Sequence, residues 1–577
     1  MPEANEPTSL FEEKEFEERS DYIDETDLEI WNVENEHFAF IQQKLLSTGT
    51  KLLVGPRGTG KTHQMKIVHL KCIKDANKPL SVFVSFSKYY HLEPFLTKVP
   101  NAIQIFHTWV LSKILQGCFT AAEEFGIDLS LFKLNNSYLV KADIDAFVEK
   151  AEKLRASQLH DDALISLLSI SKVTNTLENL ASTLKRSRVV LMLDDAALSL
   201  TPEYLVEFFD IVRSLKTKTI SPKASVYPGT TQYGPRFHVG HDAEMVQCWL
   251  SIESDTYSTF MDSLIEKRFV QYKEGVNTEV LELFKYASFG VPRAFISLLR
   301  NYKANSNKNT QSKYNAVIEQ QAKFIDSEYL SIAQKLVQYK KVIETGNRLF
   351  KNIVNSIKED NKNLVDSKNI LIGISSESIS NHKLADRMLR FLIEAGLLYE
   401  DVSVKHGLEG TGEAREYRRY IPHILFLIQN RTFSQGHGTS YADILFKIRA
   451  KSRRQPLRRV LNSLLSPEEL NGLSLDLPPC QSCNTLRLTN EQRFCHNCGK
   501  ELINQSAFEA CLKISVDSLP LTDWQKEKVK GIHLNTVRDF MSLQDPATEL
   551  RKIPQVGEVR SNRIYKEVIQ IVDEFLA

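Results

Sequence analysis

The sequence predicts an α/β fold organised on a parallel sheet, and three observations carry that expectation. A short apolar run, Leu52 to Val54, opens into Gly55-Pro56-Arg57-Gly58-Thr59-Gly60-Lys61-Thr62, and Met65, Val68 and Cys72 recur behind it at helical spacing. Leu80 to Phe86 (LSVFVSF) is a strongly β-prone run after that helix. Val189 to Leu193 is wholly apolar and ends in two acids, Asp194 and Asp195. Strands separated by helices suit a parallel sheet, because a parallel neighbour needs a crossover long enough to hold a helix.

The first stretch has the spacing of a Walker A loop. Its glycines let consecutive backbone N–H groups turn toward a nucleotide's phosphates, and the positive end of the next helix points to the same place. Residues 55–62 are therefore expected to hold ATP, with Lys61 reaching the β/γ-phosphates and the Thr62 hydroxyl ligating Mg²⁺. The acid-ended strand is the matching Walker B element. Asp194 belongs on the Mg²⁺ shell, and Asp195 orients or deprotonates the attacking water.

Taken in order, residues 1–30 are rich in Glu and Asp with few large apolar side chains, and are expected to form an acidic mobile tail. Trp31 to Leu46 reads as a helix leading into the loop. From His107 to Arg186 the periodicity is helical, interrupted near Asn135 and Asn136, which predicts an inserted helical layer. A helix starts at Pro202, and Ala224 to Thr231 reads as a strand ending in hydroxyl residues, where a polar side chain could touch the γ-phosphate. Arg236 follows in a loop containing Gly and Pro, and Gly290-Val-Pro-Arg293 opens another helix.

This order resembles AAA+ ATPases, most nearly the branch related to the origin recognition complex, over about Trp31 to Arg300. The resemblance implies a P-loop NTPase core over 31–248 and a helical lid over 249–312. It implies Thr230 or Thr231 as sensor 1, Arg293 as sensor 2 and Arg236 as an arginine finger serving a neighbour's nucleotide, hence a homo-oligomer. Arg236 reads equally well as a surface loop residue. Asp195 stands where origin-type ATPases usually carry Glu. A carboxylate one methylene shorter holds water differently, so slow hydrolysis or switch-like binding is expected. Asp-Asp is also familiar in signal-transducing relatives, which leaves the sub-branch open.

Residues 313–435 read as a winged-helix domain. Leu384, Met388, Phe391, Leu392 and Ala395 share one helix face, Lys383, Arg387 and Arg390 lie beside it, and a hairpin carrying Lys405, Arg415, Arg418 and Arg419 follows. Such a module either contacts DNA or serves only to pack against protein. Residues 436–475 are expected as a basic helical linker, densest at KIRAKSRRQPLRR with Arg453 and Arg454, for phosphate contact or simple solvation.

In residues 476–504, Cys480 and Cys483 form one C-x₂-C knuckle and Cys495 and Cys498 another, which is the pattern of a structural Cys₄ zinc ribbon with Zn²⁺. Cys72, Cys118, Cys248 and Cys511 are scattered in apolar segments and read as buried thiols. Residues 505–577 are helical. Ile553 to Val559, with Gly557, resembles a helix-hairpin-helix element whose backbone N–H groups hold a DNA phosphate, flanked by Arg560 and Arg563.

Composition sets outer limits. A chain of 577 residues with 42% hydrophobic and 25% charged residues needs several cores, and a net charge of +1 gives no sign of a basic partner surface. The lack of any apolar run of about twenty residues and the acidic first residues predict a cytoplasmic protein with no membrane partner. The expected function is an ATPase that binds duplex DNA through its carboxyl-terminal modules and uses nucleotide to control assembly. The alternative is a nucleotide-gated sensor or scaffold, as in bacterial antiviral defence, that recruits a protein effector.

Overall fold

The computed structural model describes residues 14–577 except 18, 88–91, 94, 128–130, 135–136, 153–158, 160–161, 196–201, 274, 308, 365–367, 409–413, 435–439, 451–455, 489–491, 493, 501, 503–510, 520, 544 and 577. Strands follow in the order β1 (Thr50–Val54), β2 (Leu80–Ser85), a hairpin of β3 (Leu131–Leu134) and β4 (Ser137–Val140), β5 (Val189–Asp194), β6 (Ile220–Val226) and β7 (Ala243–Gln247). The main sheet has the order β2-β5-β6-β1-β7 with every pairing parallel. The fold is thus α/β, of the kind that carries a phosphate loop.

Side chains along these strands alternate between two cores, as the strand period of two requires. Leu53, Val190, Met192 and Val246 face the helix Lys61–Lys74 and the helices of the expected lid. Leu52, Val54, Leu191 and Leu193 face the inserted layer, built on the buried helix Ala102–Glu124. β6 lies between β1 and β5, so the phosphate-loop strand and the acid-ended strand are separated by one strand. Its residues can therefore reach both.

A second sheet has the order β11-β8-β10-β9, from β8 (Ile372–Ser375), β9 (Leu398–Leu408), β10 (Ala414–Pro422) and β11 (Leu457–Arg459). β9 and β10 form the expected hairpin. The helices Thr310–Lys335, Lys340–Lys362 and Ala385–Glu394 pack with this sheet into the same core as the lid helices. The last helices, Asp523–Lys530, Val537–Met541, Pro546–Arg551 and Glu558–Leu576, join the other core.

Three expected segments differ in the structure. Residues 14–30, placed in the tail, are anchored by a few residues that composition underweights. Phe16 is 2% exposed against Phe269 and Tyr272, Leu28 is buried, and Arg268 stacks on Trp31 while donating to the Glu15 and Glu17 carbonyls. The inserted layer contains the β3–β4 hairpin; Asn135 and Asn136 lie outside the described residues. The basic linker is not wholly helical. After the helix Tyr441–Arg449 it contributes β11, which pairs parallel with β8 because Leu457 docks in that core. Arg453 and Arg454 lie outside the described residues. Cys72, Cys118, Cys248 and Cys511 are buried. Among the described residues no helix is long and apolar enough to cross a membrane.

Candidate functional site

The carboxyl ends of β1, β5, β6 and β7 lie along one edge of the parallel sheet, the edge outside which α/β proteins bind ligands. The loop 55–60 turns over this edge into the helix starting at Lys61. Lys61 is buried, and its ammonium donates to Gly55 O at 2.6 Å and Pro56 O at 3.0 Å, 4.2 Å from the centre of the Tyr227 ring. The Arg57 guanidinium stands 5.7 Å from the same ring. Thr59 donates to Pro56 O at 2.9 Å and stiffens the loop. Burial lowers Lys61 to about 8, and the facing Asp194 and Asp195 oppose that fall.

Asp194 is 1% exposed, and neither of its carboxylate oxygens has a hydrogen-bond partner within the structure. Burial pushes its pKa up, while the nearby Thr62 and Ser225 hydroxyls favour the anion. Orphaned buried carboxylate oxygens beside a hydroxyl are hard donors suited to Mg²⁺, so the residues present fit that ion. Asp195 has φ +51°, a conformation costly for a residue with a side chain, and its N–H donates to Ser225 Oγ at 2.9 Å. Burial and then the neighbouring Asp194 raise Asp195 to about 7. Ser225, from the intervening strand β6, therefore braces both acids.

The other residues expected at the site fall in different places. Arg293 opens the helix Pro292–Ala304 against the phosphate loop: a Cβ on Gly58, where φ is +79°, would stand 2.7 Å from Arg293 Cβ and 3.0 Å from Val291 Cγ1. Thr231 accepts the Tyr227 N–H at 3.0 Å, closing the turn after β6. Thr230 is engaged with Glu394, a residue of the middle region. The Arg236 side chain is 73% exposed and pairs with Asp210 at 3.3 Å. Gly58→Ala combines a strained φ with a steric overlap, so it should cost about 1–3 kcal/mol. It should also blunt the stabilisation by Mg²⁺-ATP; thermal unfolding with and without nucleotide checks both.

Ser225, Tyr227 and Glu394 are the residues that sequence reasoning missed. Tyr227 stood inside the Ala224–Thr231 strand reading, but its ring became relevant only when the loop folded over it. Nothing in one sequence marks Glu394.

The residues expected on a nucleic-acid face are largely engaged with the chain itself. Arg418 pairs with Asp386 at 2.6 Å and Glu400 at 2.7 Å, Arg390 pairs with Asp386 at 2.6 Å, and Arg419 pairs with Asp401. Arg387 stacks 5.3 Å from the Phe391 ring and 5.5 Å from that of Tyr339. Lys383 is exposed. At the far end Gly557 is open to solvent, and Arg560 donates to Gln555 O at 2.9 Å beside the Trp524 ring.

The four clustered thiols converge. The Sγ atoms of Cys480, Cys483, Cys495 and Cys498 all lie within 4.8 Å of one another, with Cys480–Cys498 and Cys483–Cys495 each at 3.5 Å. A tetrahedron of Zn–S bonds of about 2.3 Å has edges of about 3.8 Å, whereas a disulfide would bring sulfurs to about 2.05 Å. Each knuckle is pinned by backbone bonds, Cys480 N–H to Thr485 O at 2.9 Å and Cys495 N–H to Lys500 O at 2.7 Å. The donor set and spacing fit one zinc ion.

No protein-family model matches this chain, and no curated protein matches it. Among solved structures it is similar to a Walker-type ATPase of Pyrococcus abyssi, with a TM-score of 0.38 and 12% identity, over 70% of this chain and 99% of that one.

Proposed function

We propose that this protein binds ATP with Mg²⁺ and hydrolyses it slowly. The observation that supports this most is the buried Asp194 carboxylate, which has no hydrogen bond of full geometry and only nearby hydroxyls to attend it, facing Lys61 across the edge of a parallel sheet. An unpaired buried acid is costly, and a bound cation is the ordinary compensation. Lys61 and the loop N–H groups would hold the phosphates, Thr62 and Asp194 the ion, and Asp195 the attacking water; Arg293 would meet the phosphates from the lid side. Mg²⁺, when bound, neutralises charge on the β- and γ-phosphate oxygens. The short Asp195 arm, in a conformation braced by Ser225, supports slow turnover. Thermal unfolding tests the reading: Mg²⁺-ATP at about 100 times its Kd should add about 2.7 kcal/mol to the domain that binds it, and a folded chain with no shift would remove the proposal.

We further propose, on the resemblance to origin-type AAA+ ATPases, an assembly of like subunits in which Arg236 reaches a neighbour's nucleotide. Its exposure leaves it available for that contact. In this reading the four-cysteine module holds zinc, and DNA is met through phosphates at Gly557, Arg560 and Lys383. A second reading is favoured by the acid-paired arginines of the middle region: a nucleotide-gated scaffold whose carboxyl-terminal modules recruit a protein effector. Duplex binding that falls steeply with salt and weakens in Arg560→Ala supports the first. A stable protein partner with no DNA affinity supports the second.

A further inference from the structure

The turn after β6 offers three donors to one carboxylate oxygen. The Gly229 and Thr230 N–H groups each reach Glu394 Oε2 at 2.7 Å, and the Thr230 hydroxyl reaches it at 3.2 Å. Convergent backbone N–H groups form an anion cradle, and bonds to a charged acceptor are about twice as strong as neutral ones. The approach is close. A Cβ on Gly229 would stand 2.9 Å from Glu394 Oε2, 2.9 Å from Phe391 Cδ1 and 3.0 Å from Arg390 O.

Glu394 is the last residue of the helix Ala385–Glu394, an end at which the helix dipole disfavours a negative charge. The cradle offsets that cost, so the carboxylate acts as a latch between the middle region and the strand that braces Asp194 and Asp195. Charge at the latch is also felt near the phosphate loop. Burial and the Arg57 guanidinium lower Lys335 to about 7, and Glu328 and Glu394 pull the other way.

We propose that Glu394 and the terminal phosphate of bound ATP compete for the Gly229 and Thr230 donors, so that the latched helix and a Thr230–phosphate contact exclude one another. This rests on the ATP reading above. A γ-phosphate oxygen has the same chemistry as the carboxylate and more charge, and a triphosphate near the cradle repels Glu394 electrostatically. ADP lacks the group that competes. Linkage then runs both ways: ATP loosens the latch, and weakening the latch tightens ATP binding.

The test titrates the full chain with Mg²⁺-ATP and Mg²⁺-ADP by calorimetry. Glu394→Gln keeps the side-chain shape and removes the charge, and should tighten Mg²⁺-ATP by about 10-fold or more while leaving Mg²⁺-ADP within about 2-fold. Gly229→Ala, which displaces the helix sterically and keeps Glu394, should show the same ATP selectivity. Variants that leave ATP affinity unchanged, weaken it, or shift both nucleotides equally overturn the competition while the ATP reading stands. A folded parent chain that binds neither nucleotide overturns the ATP reading, and the competition falls with it.

Discussion

Lys61→Ala should weaken Mg²⁺-ATP binding on the order of 100-fold and abolish the nucleotide-dependent rise in melting temperature. The ammonium is buried at the base of the loop, so its charge is desolvated and its contacts with phosphate oxygens would be worth more than surface contacts. A loss of about 2.7 kcal/mol, the equivalent of 100-fold, lies within the range for bonds to charged groups. Asp194→Asn gives the informative contrast. Without ligand it should melt above the parent, because burial disfavours the Asp194 charge more than the nearby Thr62 and Ser225 hydroxyls favour it. With Mg²⁺-ATP the order should reverse, since the variant has lost the ion's carboxylate. Stability and function are opposed at this one side chain, which is the expected signature of a ligand site rather than of a structural acid. Melting curves of parent and variant in four conditions, with and without Mg²⁺ and ATP, decide it. An Asp194→Asn protein that melts lower in every condition would count against the site.

Removal of zinc should have the second large effect, confined to residues 476–504. Among the described residues of the module only Cys480 and Cys495 are buried, and Leu486, Leu488 and Phe494 are exposed, so those residues form no apolar core that stands in for the ion. Structural zinc sites in small peptides bind with about 10–16 kcal/mol near neutral pH, more than a segment of this length gains by packing. The purified chain should carry one zinc per molecule. A strong chelator should release it and render the segment protease-sensitive, while ATP-dependent stabilisation survives, because none of the four cysteines lies at the phosphate loop. Cys483→Ser should lower the zinc content similarly. A chain with no bound metal and an intact module would refute the assignment.

The motifs that were legible in one sequence are those in which chemistry and spacing are local. The loop Gly55–Thr62, the acid-ended run to Asp194 and Asp195 and the two C-x₂-C knuckles each work through residues a few positions apart. The sheet itself was readable because buried parallel strands are apolar on both faces. The pairing of the basic residues was not legible in one sequence, for a related reason. Arg390, Arg418 and Arg419 look like free cations in the sequence, but Asp386, Glu400 and Asp401 lie opposite them once the hairpin closes. In the segment 14–30 the burial of Phe16 and Leu28 was not legible from an otherwise polar composition.

By itself the sequence marked a loop of Walker A spacing, an acid-ended strand and a four-cysteine pattern, because each is written within a short span of chain. The tertiary structure decided which groups attend them. It placed β6 between the two motif strands so that Ser225 braces both acids, brought Tyr227 under Lys61, and set Glu394 in the cradle of Gly229 and Thr230. Those neighbours come from segments far apart in the chain, and their meeting depends on strand order and helix docking, which residue spacing does not encode.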